Sequence, residues 1–342
     1  MLEALGWKPV FAQQIAAYPD ALQPVRVTAI HRTGLTIAPQ IEGLGEIPLA
    51  GKWFTLPPEE RPTVGDWLLI DPANPANQIV LERISLIKRL NPLGEVQLIA
   101  ANIDTAFLVT SCNSDFSPAR LERYLSVVAD ADIQPVVVLT KADLVDDVDS
   151  FVDQTRELGA HLIVEAVNAK DVESVVALEQ WCIRGQTVAL LGSSGVGKST
   201  LLNTLAGTSL QSTQAARVGD DKGRHTTTHR SLHLLPQGGV LLDSPGMREL
   251  QITDVASGVV AVFDDIDQLA QQCRFNDCQH DREPGCRVQE AIAAGELDER
   301  RLRSYFKLQR EDRFNSESTA QRHARSRAFG KLTRTSLDHK KH

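Results

Sequence analysis

Residues 192–199 read GSSGVGKS, a full match to the phosphate-loop pattern G-x-x-x-x-G-K-[ST]. Few folds can use such a stretch. Its glycines let successive backbone N–H groups converge on phosphate oxygens, and the positive end of a following helix completes the cradle. A buried strand has to lead in and a helix has to lead out. Both are legible, as the apolar run TVALLG (187–192) and the helical pattern KSTLLNTLAG (198–207). A chance glycine-rich turn would lack these flanks. Gly192, Ser193, Ser194, Gly195, Val196, Gly197 and Thr200 are expected to line the phosphates, Lys198 to reach the β- and γ-phosphates, and Ser199 to ligate Mg²⁺.

Further apolar runs surround it: TAFLVTS (105–111), PVVVLTK (135–141), HLIVEAV (161–167), SLHLLP (231–236) and GVLLDS (239–244). Helical patterns such as ARLERYLSVVADA (119–131) lie between many of them. Strands alternating with helices predict a mostly parallel sheet covered on both faces, with ligands at the carboxyl ends of its strands. Residues at those ends are therefore candidates. Asp243 and Gly246 form D-x-x-G behind GVLL, where the carboxylate can hold the Mg²⁺ shell and the glycine amide can meet the γ-phosphate. Asp143, in Thr140-Lys141-Ala142-Asp143, ends a buried run and can accept from both N1–H and the exocyclic amine of guanine, a donor pair adenine lacks. Lys141 would lie along the base. Thr140 stands where the usual tetrapeptide has asparagine. Asn168 and Ala169 are candidates for a backbone contact to the guanine carbonyl. The base reader thus precedes the phosphate loop, a circular permutation of ordinary GTPase order, which is permissible because domain termini commonly lie close together at the surface.

Outside 93–252 the pattern changes. Residues 1–92 carry five short alternating runs (VRVTAIH, GLTIA, GEIPL, GDWLLID, QIVLERI), which suits a small closed barrel of the OB-fold or SH3-like kind. Residues 253–342 turn helical and hold Cys273, Cys278, His280 and Cys286, a soft three-sulfur, one-nitrogen set that selects Zn²⁺ in a closed structural site. His280 could instead stand behind the metal, with water completing the site. The other two of the five cysteines, Cys112 and Cys182, sit in apolar surroundings that suit buried reduced thiols. No disulfide scaffold, membrane span or signal peptide is expected, which points to the cytoplasm. The chain carries 36 basic and 44 acidic residues, yet residues 315–342 hold seven Lys/Arg against two Asp/Glu. An acidic body with a basic tail localises any nucleic-acid contact to that tail, or the tail is merely solvated.

The motif order, GRHTTTH (223–229), DSPGMRE (243–249) and CRFNDCQHDREPGC (273–286) together resemble the RsgA family of circularly permuted GTPases, which assist maturation of the small ribosomal subunit. The resemblance implies an N-terminal OB-fold β-barrel, a central α/β P-loop GTPase domain and a C-terminal α-helical zinc-binding domain. It further implies a monomer that hydrolyses GTP to GDP when stimulated by the small subunit and contacts its rRNA, with other assembly factors as further partners. By match to the family motif, Thr227 brings its hydroxyl and carbonyl to Mg²⁺ and the γ-phosphate, with Thr226 as the alternative. Met247 occupies the position where many GTPases carry a water-orienting glutamine. Intrinsic hydrolysis is then expected to be slow, with His225 positioning the water once a partner orders the loop. Alternatively, His225 is a solvated loop histidine or a contact to an rRNA phosphate. Two other readings compete: an RNA-binding assembly scaffold with little turnover, and a P-loop ATPase or kinase, against which Asp143 argues.

Overall fold

The five N-terminal alternating runs form antiparallel strands, β1 (Gln23–Ile30), β2 (Gly34–Ile41), β3 (Leu44–Pro48), β4 (Trp67–Asp71) and β5 (Asn74–Val80). The computed structural model describes residues 1–31, 33–91, 93–159, 161–208, 231–243 and 251–316. β1 pairs with both β2 and β4, β2 pairs with β3, and β4 pairs with β5. The Gln78 side-chain amide on β5 donates to the Pro48 carbonyl at the end of β3, 2.7 Å away, so the last strand returns to the third. The period-two pattern points Val25, Val27, Leu35, Ile37, Leu68 and Ile70 into one core. The opposite face of β4 is covered by an element the sequence reading missed, helix α1 (Pro9–Ile15). Phe11 is fully buried there, and Trp7 meets Trp67 edge-on at 4.6 Å.

A hairpin of β6 (Leu86–Leu90) and β7 (Val96–Ala101) follows, also unforeseen. The domain boundary expected at 92/93 falls between its two strands in sequence.

The central sheet contains β8 (Thr105–Ser111), β9 (Gln134–Thr140), β10 (Ile163–Val167), β11 (Thr187–Leu191), β12 (Ser231–Leu234) and β13 (Val240–Asp243). Its spatial order is β10-β9-β8-β11-β13-β12, parallel except for β12. Every residue of β8 and β11 is buried, as a strand covered on both faces requires. Helices α2 (Pro118–Asp130), α3 (Val148–Arg156), α4 (Val172–Val175) and α5 (Lys198–Ala206) supply the cover.

The C-terminal region adds α6 (Ala256–Val262), α7 (Asp264–Ala270), α8 (Arg287–Ala294) and α9 (Glu299–Ser316). The run VVAVFDDIDQLAQQC reads as one helix but breaks at Phe263, whose ring is fully buried beneath the Arg301 guanidinium, 4.8 Å from its centroid. Helix α6 crosses α2 at backbone contact: a Cβ on Gly258 would lie 1.9 Å from the Ser126 carbonyl oxygen. Fully buried Glu122 of α2 accepts from Arg300 and Arg301 of α9, and Arg301 also holds Asp265 of α7 at 2.8 Å. The helical region and the nucleotide sheet therefore share one hydrophobic core, which includes Leu125, Val259, Phe263 and Leu302.

Several contacts tie the barrel to the sheet, among them Lys8–Asp104 and Arg184–Glu3. Ala29 pairs with Ser231 across the β1–β12 edge. Fully buried Arg26 donates to Thr187 Oγ1 at 2.8 Å and to the carbonyls of Gly65, Asn102 and Leu5. Thr187 opens the strand that ends at the phosphate loop.

Candidate nucleotide and metal sites

Strand β11 lies between β8 and β13, and the chain turns sharply where it ends. At Gly192 φ is +153°, and a Cβ there would stand 2.2 Å from the Val109 carbonyl oxygen on β8, so a side chain cannot be accommodated. The loop then feeds α5, whose first residues are Lys198, Ser199 and Thr200. The Lys198 ammonium folds back over the loop and donates to the carbonyls of Gly192 (2.8 Å) and Ser193 (2.6 Å). It is 7% exposed, and burial lowers its pKa to about 8, with Asp243 opposing the shift. Asp243 ends β13 opposite Leu190 of β11 and is 3% exposed. Burial raises its pKa, while Lys198 and then His233 pull it down. A polyanion entering here would meet a partly desolvated cation and the amide end of a helix.

The reversed segments converge on this loop. Thr140 at the end of β9 is fully buried and donates to the Val196 carbonyl of the phosphate loop, 2.5 Å away and 56 residues later in the chain. Its own carbonyl accepts from the Cys112 amide at 2.9 Å. Lys141 takes a left-handed turn, φ +59°, and Asp143 follows in a short 3-10 turn with its carboxylate exposed. On the neighbouring strand, Val167 is in register with Thr140. The Ala169 carbonyl just beyond it accepts from Thr204 Oγ1 of α5 at 2.7 Å. Asn168 is held by its amide donating to Ser174 Oγ (2.8 Å) and by its side-chain oxygen accepting from the Lys170 amide (3.0 Å). All three candidate loops thus stand at one carboxyl edge. Thr204 was missed by sequence reasoning, as was Tyr124 of α2, whose hydroxyl hydrogen-bonds Ser193. Each sits within a helical pattern that reads as ordinary packing. His225, Thr226, Thr227 and Gly246 lie outside the described residues.

In the helical region, the ligand atoms of Cys273, Cys278, His280 and Cys286 all lie within 4.8 Å of one another. His280 Nδ1 is 3.6 Å from Cys273 Sγ and 3.5 Å from Cys286 Sγ, and those two sulfurs are 3.9 Å apart. A tetrahedral Zn²⁺ with Zn–S near 2.3 Å and Zn–N near 2.0 Å calls for edges of about 3.8 Å (S···S) and about 3.5 Å (S···N). The three edges among Cys273, His280 and Cys286 have that size, Cys278 lies within 4.8 Å of them, and Nδ1 stands among the thiols instead of behind them. A left-handed backbone at His280, φ +58°, turns the imidazole inward. Glu283 secures the loop by accepting from the amides of Gln279, Asp281 and Arg282, and Gln289 Nε2 donates to the His280 carbonyl at 2.6 Å.

The sheet order, the phosphate loop and a base-reader segment placed before it in the chain define a circularly permuted P-loop GTPase. The sequence model of the RsgA GTPase family matches residues 80–253. Small ribosomal subunit biogenesis GTPase RsgA 2 of Vibrio parahaemolyticus serotype O3:K6 is 49% identical, the match covering 99% of this chain and 94% of the relative. Small ribosomal subunit biogenesis GTPase RsgA of Mesorhizobium japonicum is 46% identical, covering 92% of this chain and 91% of the relative. Among solved structures, YjeQ from Thermotoga maritima matches with a TM-score of 0.59 at 25% identity, covering 84% of this chain and 97% of that one. YloQ, described as a circularly permuted GTPase, shares the fold with a TM-score of 0.57 at 23% identity, covering 87% and 98%. The chain belongs to the RsgA GTPase family, whose members are GTP-hydrolysing enzymes.

Proposed function

We propose that this chain binds GTP with the guanine at Asp143 and the phosphates over residues 192–200, and hydrolyses it on the small ribosomal subunit late in that particle's maturation, in the cytoplasm. The subunit stimulates hydrolysis, and the change to GDP releases the protein. The observation that carries the reading is the Thr140–Val196 hydrogen bond, which joins a base-reading segment to a phosphate loop at one strand edge. The relatives' names supply the subunit.

Ser199 and Asp243 offer hard oxygen donors suited to Mg²⁺, with Thr227 as the third protein ligand. Bound there, the ion would neutralise charge on the β- and γ-phosphates. Lys198 would exchange its two loop carbonyls for phosphate oxygens, Lys141 would lie along the base, and the Asn168-Ala169 backbone would approach the guanine carbonyl. His225 is the candidate to orient the attacking water. The three thiols and His280 would hold one structural Zn²⁺, leaving no open position for chemistry. The five-stranded N-terminal barrel, with β1 shared between β2 and β4 and β5 returning to β3, supports an OB-fold suited to RNA.

A second reading, an RNA-binding scaffold with little turnover, is favoured by Met247 at the position of the usual glutamine. Hydrolysis measured with small subunits, large subunits and neither separates the two. A saturable rise with small subunits alone supports the enzyme; equally slow turnover in all three supports the scaffold.

A further inference from the structure

The inner face of the end of α9 grips the backbone of residues 252–255, the segment that resumes the described chain after Asp243. Glu311 Oε1 accepts from the Ile252 amide at 3.4 Å, and Asn315 Nδ2 donates to the Ile252 carbonyl at 2.7 Å. Asp312 Oδ1 accepts from the Val255 amide at 2.9 Å, and Ser316 Oγ accepts from the Asp254 amide at 2.9 Å. Spacings of one and four residues place these four side chains on one side of the helix. Glu311 is itself fixed by a two-pronged ion pair with Arg123 of α2, one prong at 2.6 Å. From the other side, the Leu90 amide of β6 donates to the Gln251 carbonyl at 3.2 Å, and Lys88 pairs with Asp254 at 2.8 Å.

Four side chains of one helix thus engage this irregular backbone, three by accepting from its amides and one by donating to a carbonyl. Ile252 and Val255 of this segment are also buried, so packing and hydrogen bonds act on the same stretch of backbone. The outward face of the same helix carries exposed Arg303, Lys307, Arg310 and Arg313, so a polyanion bound there would load the element that does the gripping.

We propose that Glu311, Asp312, Asn315 and Ser316 are positioning residues that fix the exit of the D-x-x-G segment, so that contact on α9 is read out as a changed response to the γ-phosphate. The inference rests on the proposed role of Asp243. The coupling is physical: one rigid helix touches a partner on one face and the exit backbone on the other.

The test compares Asn315→Ala, Glu311→Gln, and Ser316→Ala against Ser316→Thr, which keeps the hydroxyl. It uses the full chain with Mg²⁺, a non-hydrolysable GTP analogue, GDP and purified small subunits. The expected result is at least a fivefold fall in stimulated kcat and in the ratio of analogue to GDP affinity. GDP affinity and melting temperature should stay near wild type, and Ser316→Thr should restore function. An unchanged ratio and unchanged stimulated kcat overturn the proposal. So does a loss in which GDP affinity and melting temperature fall in step, since that marks a merely structural contact. Asp243→Asn is run alongside. If it leaves Mg²⁺-dependent turnover unaltered, the reading of the site fails; if it abolishes turnover while the α9 variants are silent, only the clamp fails.

Discussion

The Thr140 hydroxyl donates to the Val196 carbonyl at 2.5 Å, across 56 positions of chain. Replacing it by valine keeps the shape and leaves a buried carbonyl without its donor, a loss of about 1–3 kcal/mol. Because the bond sets base reader against phosphate loop, Thr140→Val should weaken GDP and GTP alike, by roughly tenfold. Equilibrium titration with a fluorescent guanine nucleotide measures both. A loss confined to GTP would show that Thr140 serves the γ-phosphate and not the junction.

Lys198 gives nucleotide binding a pH signature. Its pKa is lowered to about 8 by burial in the free protein. Phosphate oxygens favour the ammonium, so binding raises the pKa and takes up a proton. Affinity is therefore complete below about pH 8 and declines toward tenfold per unit above it. GDP affinity measured from pH 7 to 9 should bend downward near pH 8 in the wild type. A flat profile contradicts the assignment.

The metal cluster makes a separate prediction. Cys286 caps α8 by accepting from the Gln289 amide at 3.5 Å, and the His280 ring stacks on Phe306 of α9 at 6.3 Å. Losing the metal should therefore loosen both helices. Purified protein should carry one zinc equivalent, Cys278→Ser should lose most of it, and chelation should lower the melting temperature. A full equivalent in the variant would remove Cys278 from the ligand set.

Arg301→Met tests the join between helical region and sheet. The guanidinium, 6% exposed, holds Glu122, both Asp265 oxygens and the Val262 carbonyl. Removing it strips a fully buried carboxylate of one partner, which costs about 3–5 kcal/mol. The melting temperature should drop by roughly 5–15 °C. An unchanged melting temperature would mean that Arg300 alone suffices for Glu122.

Much of this was legible in the sequence. The strands of the central sheet announce themselves because burial on both faces demands unbroken apolar runs such as TAFLVTS. The loop motifs follow because phosphate and guanine admit few chemistries, and the metal set because three thiols beside a histidine are rarely idle. Helix α1 was hidden because Pro9–Ile15 covers the barrel with a few aromatic contacts and too little length for a period. The break at Phe263 coincides with a tertiary contact the local pattern does not carry: the ring is fully buried beneath the Arg301 guanidinium. Arg26 alternates with Val25 and Val27 in VRVTAIH, yet it is fully buried and donates to three carbonyls and Thr187. Leu5 and Gly65 come from the N-terminal region itself and Asn102 and Thr187 from beyond it, so the acceptors are brought together only by the fold.

One measurement addresses the whole account: hydrolysis by Asp143→Asn with GTP and with xanthosine triphosphate. Xanthine presents an oxygen where guanine has its exocyclic amine, so an asparagine amide can donate to that oxygen while its carbonyl accepts from N1–H. The variant should lose most kcat/KM for GTP and recover near-normal kcat with xanthosine triphosphate, in a reaction that still requires Lys198. Undiminished GTP hydrolysis, with no acceptance of the xanthine nucleotide, would separate Asp143 from the phosphate loop and contradict a site built from reversed segments.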